Sequence, residues 1–365
     1  MNKTVVVKVG TSSITNEDGE ISRESVAKIC SEVAELKSSG NDVVIVTSGA
    51  IAAGLPFLGL TGGNRPHDPS TLQAISAIGQ GSLIGIYREE LASHQLLAGQ
   101  VLLAPLDFFV RSQYLHARNT LIKLIDLGVI PVVNENDAIA DDEIRFGDND
   151  RIAALVAHLV EADLLVLLTD TSGLFTADPR MDSEASLIEE IIEIDQEMER
   201  YAGGTTSDRG SGGMASKLAA AKIASWSGVR TVIADASRSE ILKDACNEVQ
   251  GIGTVVHPRD IRLNARKLWI AFAVGSAGQI MVDNGARKAL EGRASLLPTG
   301  VVKGIGDFEV GDAVEVIDED SKIFAKGIVR QDSENVTANA GLKTSQLPEG
   351  VSHEVIHTDD LVILP

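Results

Sequence analysis

Apolar residues in this chain gather in short, nearly unbroken runs, and between the runs they recur every three or four positions. The runs at 5–9, 42–46, 99–103, 129–133, 163–168 and 230–234 are rich in Val, Ile and Leu and show little alternation. That pattern belongs to strands buried on both faces. The intervals at 25–36, 71–91, 112–127, 151–160 and 215–227 carry the spacing of helices packed along one side. Strand and helix alternating in this way predict an α/β domain around a mainly parallel sheet covered on both faces, with its functional turns collected at one sheet edge. A loop rich in Gly, Pro and polar residues interrupts the pattern at 59–70.

The rhythm changes after 251–258. A basic and aromatic connector at 262–272 contains Trp269, and from Gly278 onward short strands at 279–282, 300–303, 313–316, 323–330 and 360–364 alternate with glycine turns. This division predicts a first domain over 1–258, a linker over 259–275 and a small β-rich domain over 276–365.

A chain of 365 residues exceeds one ordinary core, which agrees with two domains. A hydrophobic share of 44% excludes disorder as a general description. The formal charge of −20 opposes nonspecific attraction to nucleic acid or anionic membrane, so any anionic ligand must be met by locally placed cations or backbone N–H groups. Cys30 and Cys246 have no neighbours at disulfide-framework or zinc-site spacing, and a reducing cytoplasm fits. Lys3 and Lys8 leave no room for a signal-peptide core, and no apolar run reaches membrane-spanning length. A cytoplasmic protein without a membrane partner is expected.

Several stretches carry more polar chemistry than turns require. Lys8 lies within an apolar strand, where a lysine is costly unless its ammonium emerges at the sheet edge where α/β folds bind ligands. The alternative is an edge-strand lysine that discourages aggregation. At Thr47-Ser48-Gly49-Ala50 a strand runs into a helix, offering backbone N–H groups and two hydroxyls to carboxylate or phosphate oxygens, or else an ordinary cap. The cluster Gly147-Asp148-Asn149-Asp150-Arg151 opens a helix with Asp150 as the expected cap, and Asn134-Glu135-Asn136-Asp137 follows the strand before it. Carboxylates and amides at a helix entry are directional enough to grip an ammonium or orient lysines around an anion, although turns favour Asp and Asn in any case. Finally, Gly210-Ser211-Gly212-Gly213-Met214-Ala215-Ser216-Lys217 is a glycine turn with a lysine in the following helix. It is neither a Walker A loop, since Ser216 precedes the lysine, nor a dinucleotide fingerprint.

Taken in order, the segments KVGTSSI, VTSGAIAAG, NENDA, GDND, LLTDTSGLFTADP and GSGGMASK closely resemble the amino-acid kinase family, and residues from 276 onward resemble a PUA domain through AGQIMVDNGARKALEGRASLLPTGV. The resemblance implies a three-layer α/β/α sandwich, and ATP and L-glutamate as substrates, with Mg²⁺ carried mainly by the ATP. It implies that Lys8 and Lys217 hold the phosphates and stabilise the transferred phosphoryl group, and that Asp150 holds both lysines in place. It puts Ser48, Asp137, Asp148 and Asn149 at glutamate, and Thr169, Asp170 and the turn Ser211, Gly212, Gly213, Met214, Ala215, Ser216 and Lys217 at the nucleotide. Proline as feedback inhibitor, a homo-oligomer of dimeric or tetrameric type, and a transient contact with glutamyl phosphate reductase are further implications. Two alternatives stay open. One is a kinase of the same family acting on acetylglutamate or aspartate. The other is an RNA-binding or RNA-modification protein working through the PUA-like domain, which acidic residues outnumbering basic ones beyond Arg262 make a poor match.

Overall fold

The computed structural model describes residues 2–364 apart from 61–65, 109, 140–148, 180, 183, 204–212, 261 and 273. The chain divides into two compact units, 1–262 and 263–365.

In the first unit the order is β1 (Thr4–Val9), α1 (Arg23–Ser38), β2 (Asp42–Thr47), α2 (Ala50–Gly54), α3 (Pro69–Ser93), β3 (Leu97–Leu103), α4 (Arg111–Asp126), β4 (Val129–Glu135), α5 (Asn149–Leu159), β5 (Leu164–Thr169), β6 (Glu190–Ile191), α6 (Gln196–Gly203), α7 (Met214–Trp226), β7 (Arg230–Asp235), α8 (Ile241–Cys246) and β8 (Thr254–Val256). The strands form one eight-stranded sheet in the order β3-β4-β2-β1-β5-β7-β8-β6. Every pairing from β3 to β7 is parallel, while β8 runs antiparallel to β7. The two short strands β6 and β8 have too few residues for any period to mark them.

Alternation along the strands decides which layer each side chain meets. Val5, Val7 and Val9 of β1, Val43 and Ile45 of β2, and Ile130 and Val132 of β4 share one core with residues of α1, α3 and α8. Residues between them point the other way, toward the layer of α5, which also contacts α4 and α7. A mainly parallel sheet between two helical layers is the three-layer arrangement expected.

Two glycine positions near the site are dictated by geometry. Gly49 joins β2 to α2 at φ +104°, a left-handed conformation that side chains rarely adopt. Gly54 of α2 and Gly79 of α3 stand so close that a Cβ on Gly79 would fall 1.9 Å from the Ala50 carbonyl oxygen. Only glycine lets these two helices meet.

The second unit holds α9 (Ala265–Phe272), β9 (Gly278–Val282), α10 (Asn284–Glu291), β10 (Val301–Gly306), β11 (Ala313–Ile317), β12 (Ile323–Val329), α11 (Ser333–Asn339) and β13 (Ile356–Ile363). Its five-stranded sheet has the order β10-β9-β11-β12-β13, parallel only between β9 and β11. Part of the stretch read as a linker is therefore helical, since α9 packs on β13 and β12 within this unit. The helices α10 and α11 replace what the sequence suggested were turns. Each is capped by an aspartate: Asp283 accepts from Ala286 N–H and Asp332 from Asn335 N–H. No helix among the described residues is long and apolar enough to cross a membrane.

Candidate active site

Lys8 occupies a position on β1 that alternation turns away from the Val5, Val7 and Val9 core and toward α5. Its partner there is Asp150, in the first turn of α5 rather than at the cap, because the helix already begins at Asn149. The Lys8 Nζ lies 2.6 Å from Asp150 Oδ1, and the Lys217 Nζ lies 3.2 Å from Oδ2. The two lysines are 209 positions apart in sequence (217 − 8) yet converge on one carboxylate. Lys217 reaches it from the first turn of α7, and Ser216 Oγ adds a hydrogen bond to Oδ2 at 2.9 Å.

All three charged groups are buried, Asp150 completely. Burial by itself raises the Asp150 carboxyl pKa, but the Lys8 and Lys217 ammoniums, with hydrogen bonds from Lys8 and Ser216, hold it below the ordinary carboxylate value. A buried charge of this kind is tolerable only when paired and hydrogen-bonded. With two cations on one anion the cluster carries surplus positive charge, and this is what an anionic ligand would meet.

The strand order sorts the remaining candidates around Lys8. β2 and β4 lie on one side of β1, and β5 lies on the other. At the carboxyl ends of β2 and β4 stand Ser48 and Asp137, the latter in a short 3-10 turn at Asp137–Ile139. Asn149 joins this side, because its Nδ2 donates to Ser48 Oγ at 3.1 Å. Asp137 accepts from Ser76 Oγ of α3 at 2.7 Å, and its carboxyl pKa is raised, with burial as the main cause and the Ser76 hydrogen bond opposing it.

Across β1, Thr169 ends β5 with its hydroxyl directed to Asp170 Oδ1 at 3.2 Å, and Asp170 is exposed. Gly213 precedes α7 and Met214 and Ala215 open it, and the hydroxyl of Ser216, a residue expected at the nucleotide, donates to Asp150. Asp148, Ser211 and Gly212 lie outside the described residues.

Thr47 corrects the reading of its turn. It shares the β2 face of Val43 and Ile45, so its hydroxyl is fully buried against Tyr87 Oη of α3 at 2.9 Å and is withdrawn from any ligand. Sequence reasoning missed two polar residues behind the site, Ser76 and Gln80, and gave Asn134 no role of its own within the run 134–137. Only Asn134 left a signal, as an amide at the end of an otherwise apolar strand. Among the described residues, no group of three or more His, Cys, Asp or Glu side chains is placed to hold a metal ion.

Comparison with known proteins identifies the families that the chain matches. The profile of the amino acid kinase family matches residues 3–235, and that of the PUA domain matches residues 278–350. The chain is 43% identical to a glutamate 5-kinase of Thermoanaerobacter sp. (strain X514), covering 99% of this chain and 97% of that one. It is 44% identical to a glutamate 5-kinase of Caldanaerobacter subterraneus subsp. tengcongensis over the same shares. Among solved structures, carbamate kinase from Giardia lamblia bound to AMP-PNP superposes with a TM-score of 0.51 at 18% identity, covering 71% of this chain and 99% of that one, a likeness of fold.

Proposed function

Because this chain belongs to the amino acid kinase family, we propose that it transfers the γ-phosphoryl group of ATP to the γ-carboxylate of L-glutamate, giving L-glutamyl 5-phosphate and ADP, the first step of proline biosynthesis. The observation that carries this reading is the convergence of Lys8 and Lys217 on Asp150, where the acceptor-side and nucleotide-side candidates are divided by β1.

Phosphoryl transfer asks a protein mainly for alignment and for cations where charge develops. The γ-carboxylate is ionised at neutral pH, with an ordinary pKa of about 4.3, so it attacks phosphorus without a general base. A bond forms between a carboxylate oxygen and the γ-phosphorus as the bond to the β,γ-bridging oxygen breaks, and ADP leaves with that electron pair. Lys8 and Lys217 stabilise the equatorial oxygens, while Asp150 fixes the position of both ammoniums. Ser48, Asn149, Asp148 and Asp137 hold glutamate, with Asp137 as the counter-charge for its α-ammonium. Thr169, Asp170 and the turn 211–217 hold the nucleotide. Magnesium carried by the ATP would neutralise the phosphate oxygens and would require few protein ligands.

Kinase chemistry is assigned to residues 1–258 and a PUA-type role to 276–365, with 259–275 joining them. A cytoplasmic homo-oligomer is proposed, inhibited by proline at the glutamate site. Its acyl phosphate is labile and calls for prompt transfer to a reductase.

The decisive assay is ADP release with glutamate as sole acceptor, beside N-acetylglutamate and aspartate, with and without proline. Turnover on glutamate with negligible turnover on the other two is expected. The reverse preference would remove the substrate assignment.

A further inference from the structure

One face of α3 carries a line of polar side chains through an otherwise apolar contact. Ser76, Gln80 and Tyr87 are separated by four and seven residues, which places them within about 40° of one another around the helix. Each meets a different segment of the acceptor side: Ser76 binds Asp137 after β4, Gln80 binds Asn134 on β4, and Tyr87 binds Thr47 on β2. Ser76 and Asn134 are buried, and the close approach of Gly54 and Gly79 locks α3 against the helix that follows Ser48.

The hydrogen bonds leading from Gln80 have a fixed direction. The backbone N–H of Glu135 can only donate, and it meets both Asn134 Oδ1 at 2.9 Å and Asn149 Oδ1 at 3.2 Å. Both asparagines must therefore turn their carbonyl oxygens inward and their NH₂ groups outward. Asn134 Nδ2 then donates to Gln80 Oε1 at 2.7 Å, and Asn149 Nδ2 donates to Ser48 Oγ at 3.1 Å. Since Ser48 Oγ accepts from Asn149, its own proton is left to be donated toward the pocket.

We propose that Gln80 and Ser76 are positioning residues of the acceptor pocket: the Glu135 N–H fixes the hydrogen-bond polarity that makes Ser48 a donor to a substrate carboxylate, Gln80 holds Asn134 in the place from which it shares that N–H with Asn149, and Ser76 aims Asp137 at the substrate ammonium. This rests on reading the pocket as the amino-acid site. Neither residue needs to touch the substrate. Together they specify a ligand with an acceptor group facing Ser48 and a cationic group facing Asp137, the two ends of an amino-acid zwitterion.

The test uses the full chain with Gln80→Leu, Gln80→Glu and Ser76→Ala, measuring kcat, the KM for glutamate, the KM for ATP and the Tm. Leucine removes the acceptor for Asn134, whereas glutamate retains an acceptor oxygen in the same place. Gln80→Leu and Ser76→Ala are expected to raise the glutamate KM about tenfold, as for one lost buried hydrogen bond, and to leave the ATP KM within about twofold. Gln80→Glu should return the glutamate KM to within about threefold of wild type. An unchanged glutamate KM in Gln80→Leu, an equal rise in both KM values, or a Gln80→Glu variant as impaired as Gln80→Leu overturns the proposal. Should the wild-type chain turn over another amino acid instead of glutamate, the substrate assignment fails. The same KM split measured on that acceptor then decides the positioning role.

Discussion

Asp150 is fully buried and Asp137 half-buried, and their pKa values move in opposite directions. Asp150 is held below the ordinary carboxylate value, so its ionisation supports the fold above the unfolded value of about 3.9, and that support is lost as pH falls through the lowered folded value. Removing its carboxylate leaves two ammoniums buried without their shared partner. Asp150→Ala is expected to cost about 3–5 kcal/mol in denaturant unfolding at pH 7 and to abolish turnover. Asp137 behaves inversely. Its raised value means that protonation favours the fold, and that this stability is lost as pH rises through the raised value, so at neutral pH its charge is kept against the interest of stability. Asp137→Asn should therefore leave the Tm unchanged or higher at pH 7 while the KM for glutamate rises. A lower Tm with an unchanged KM would mean that the acid serves the fold instead. Lys8→Ala and Lys217→Ala should each lower kcat by about 10²–10³ with the circular dichroism spectrum intact, since each removes a charge that acts chiefly on the transition state.

The helices set how accurately these residues meet. α5 presents Asn149 to one side and Asp150 to the other from a single turn, which couples the acceptor side to the lysine cluster. α2 and α3 hold Ser48 and Ser76 in fixed relation only because glycine stands at both points of contact. A Cβ at Gly54 would fall 2.2 Å from the Ile75 carbonyl oxygen, and one at Gly79 would fall closer still to that of Ala50. Overpacking of backbone against backbone has no flexible side chain to absorb it. Gly79→Ala is expected to destabilise the protein by about 1–3 kcal/mol and to raise the glutamate KM more than the ATP KM. Chemical denaturation with paired KM measurements tests both parts, and equal effects on the two substrates would separate this contact from the acceptor pocket.

At the scale of the molecule, every described side chain of the candidate site lies in the unit 1–262. A chain ending at Arg262 is accordingly expected to fold and to form ADP with glutamate, and its failure to do so would assign the second unit a part in catalysis or stability. The unit 263–365 has more acids than bases, and its Arg287 and Arg330 are engaged by carboxylates, as in the Arg287–Asp318 pair at 2.5 Å. Backbone binding to RNA needs a surplus of free cations. In a filter-binding titration of the full chain at low salt, no retention of structured RNA is expected, and salt-sensitive retention would revive the RNA-binding alternative.

Residue order alone determined the alternation of buried strands and amphipathic helices, the break near 258, and Lys8 as a misfit in its strand, while the glycine turn marked Lys217 and the helix start offered Asp150 only as a cap. Those signals are local: an apolar run, a lysine inside it, a glycine turn before a helix. Strand β6, the helices of the second unit and the polar face of α3 were not legible in this way. They are too short to show a period, or they consist of ordinary polar residues whose partners lie up to sixty-one positions away, as Ser76 and Asp137 do. Only the tertiary structure decided that Thr47 turns into the core against Tyr87 while Ser48 turns to Asn149. Strand parity and the helix packed on each face of the sheet, rather than side-chain chemistry, separate those two neighbouring hydroxyls.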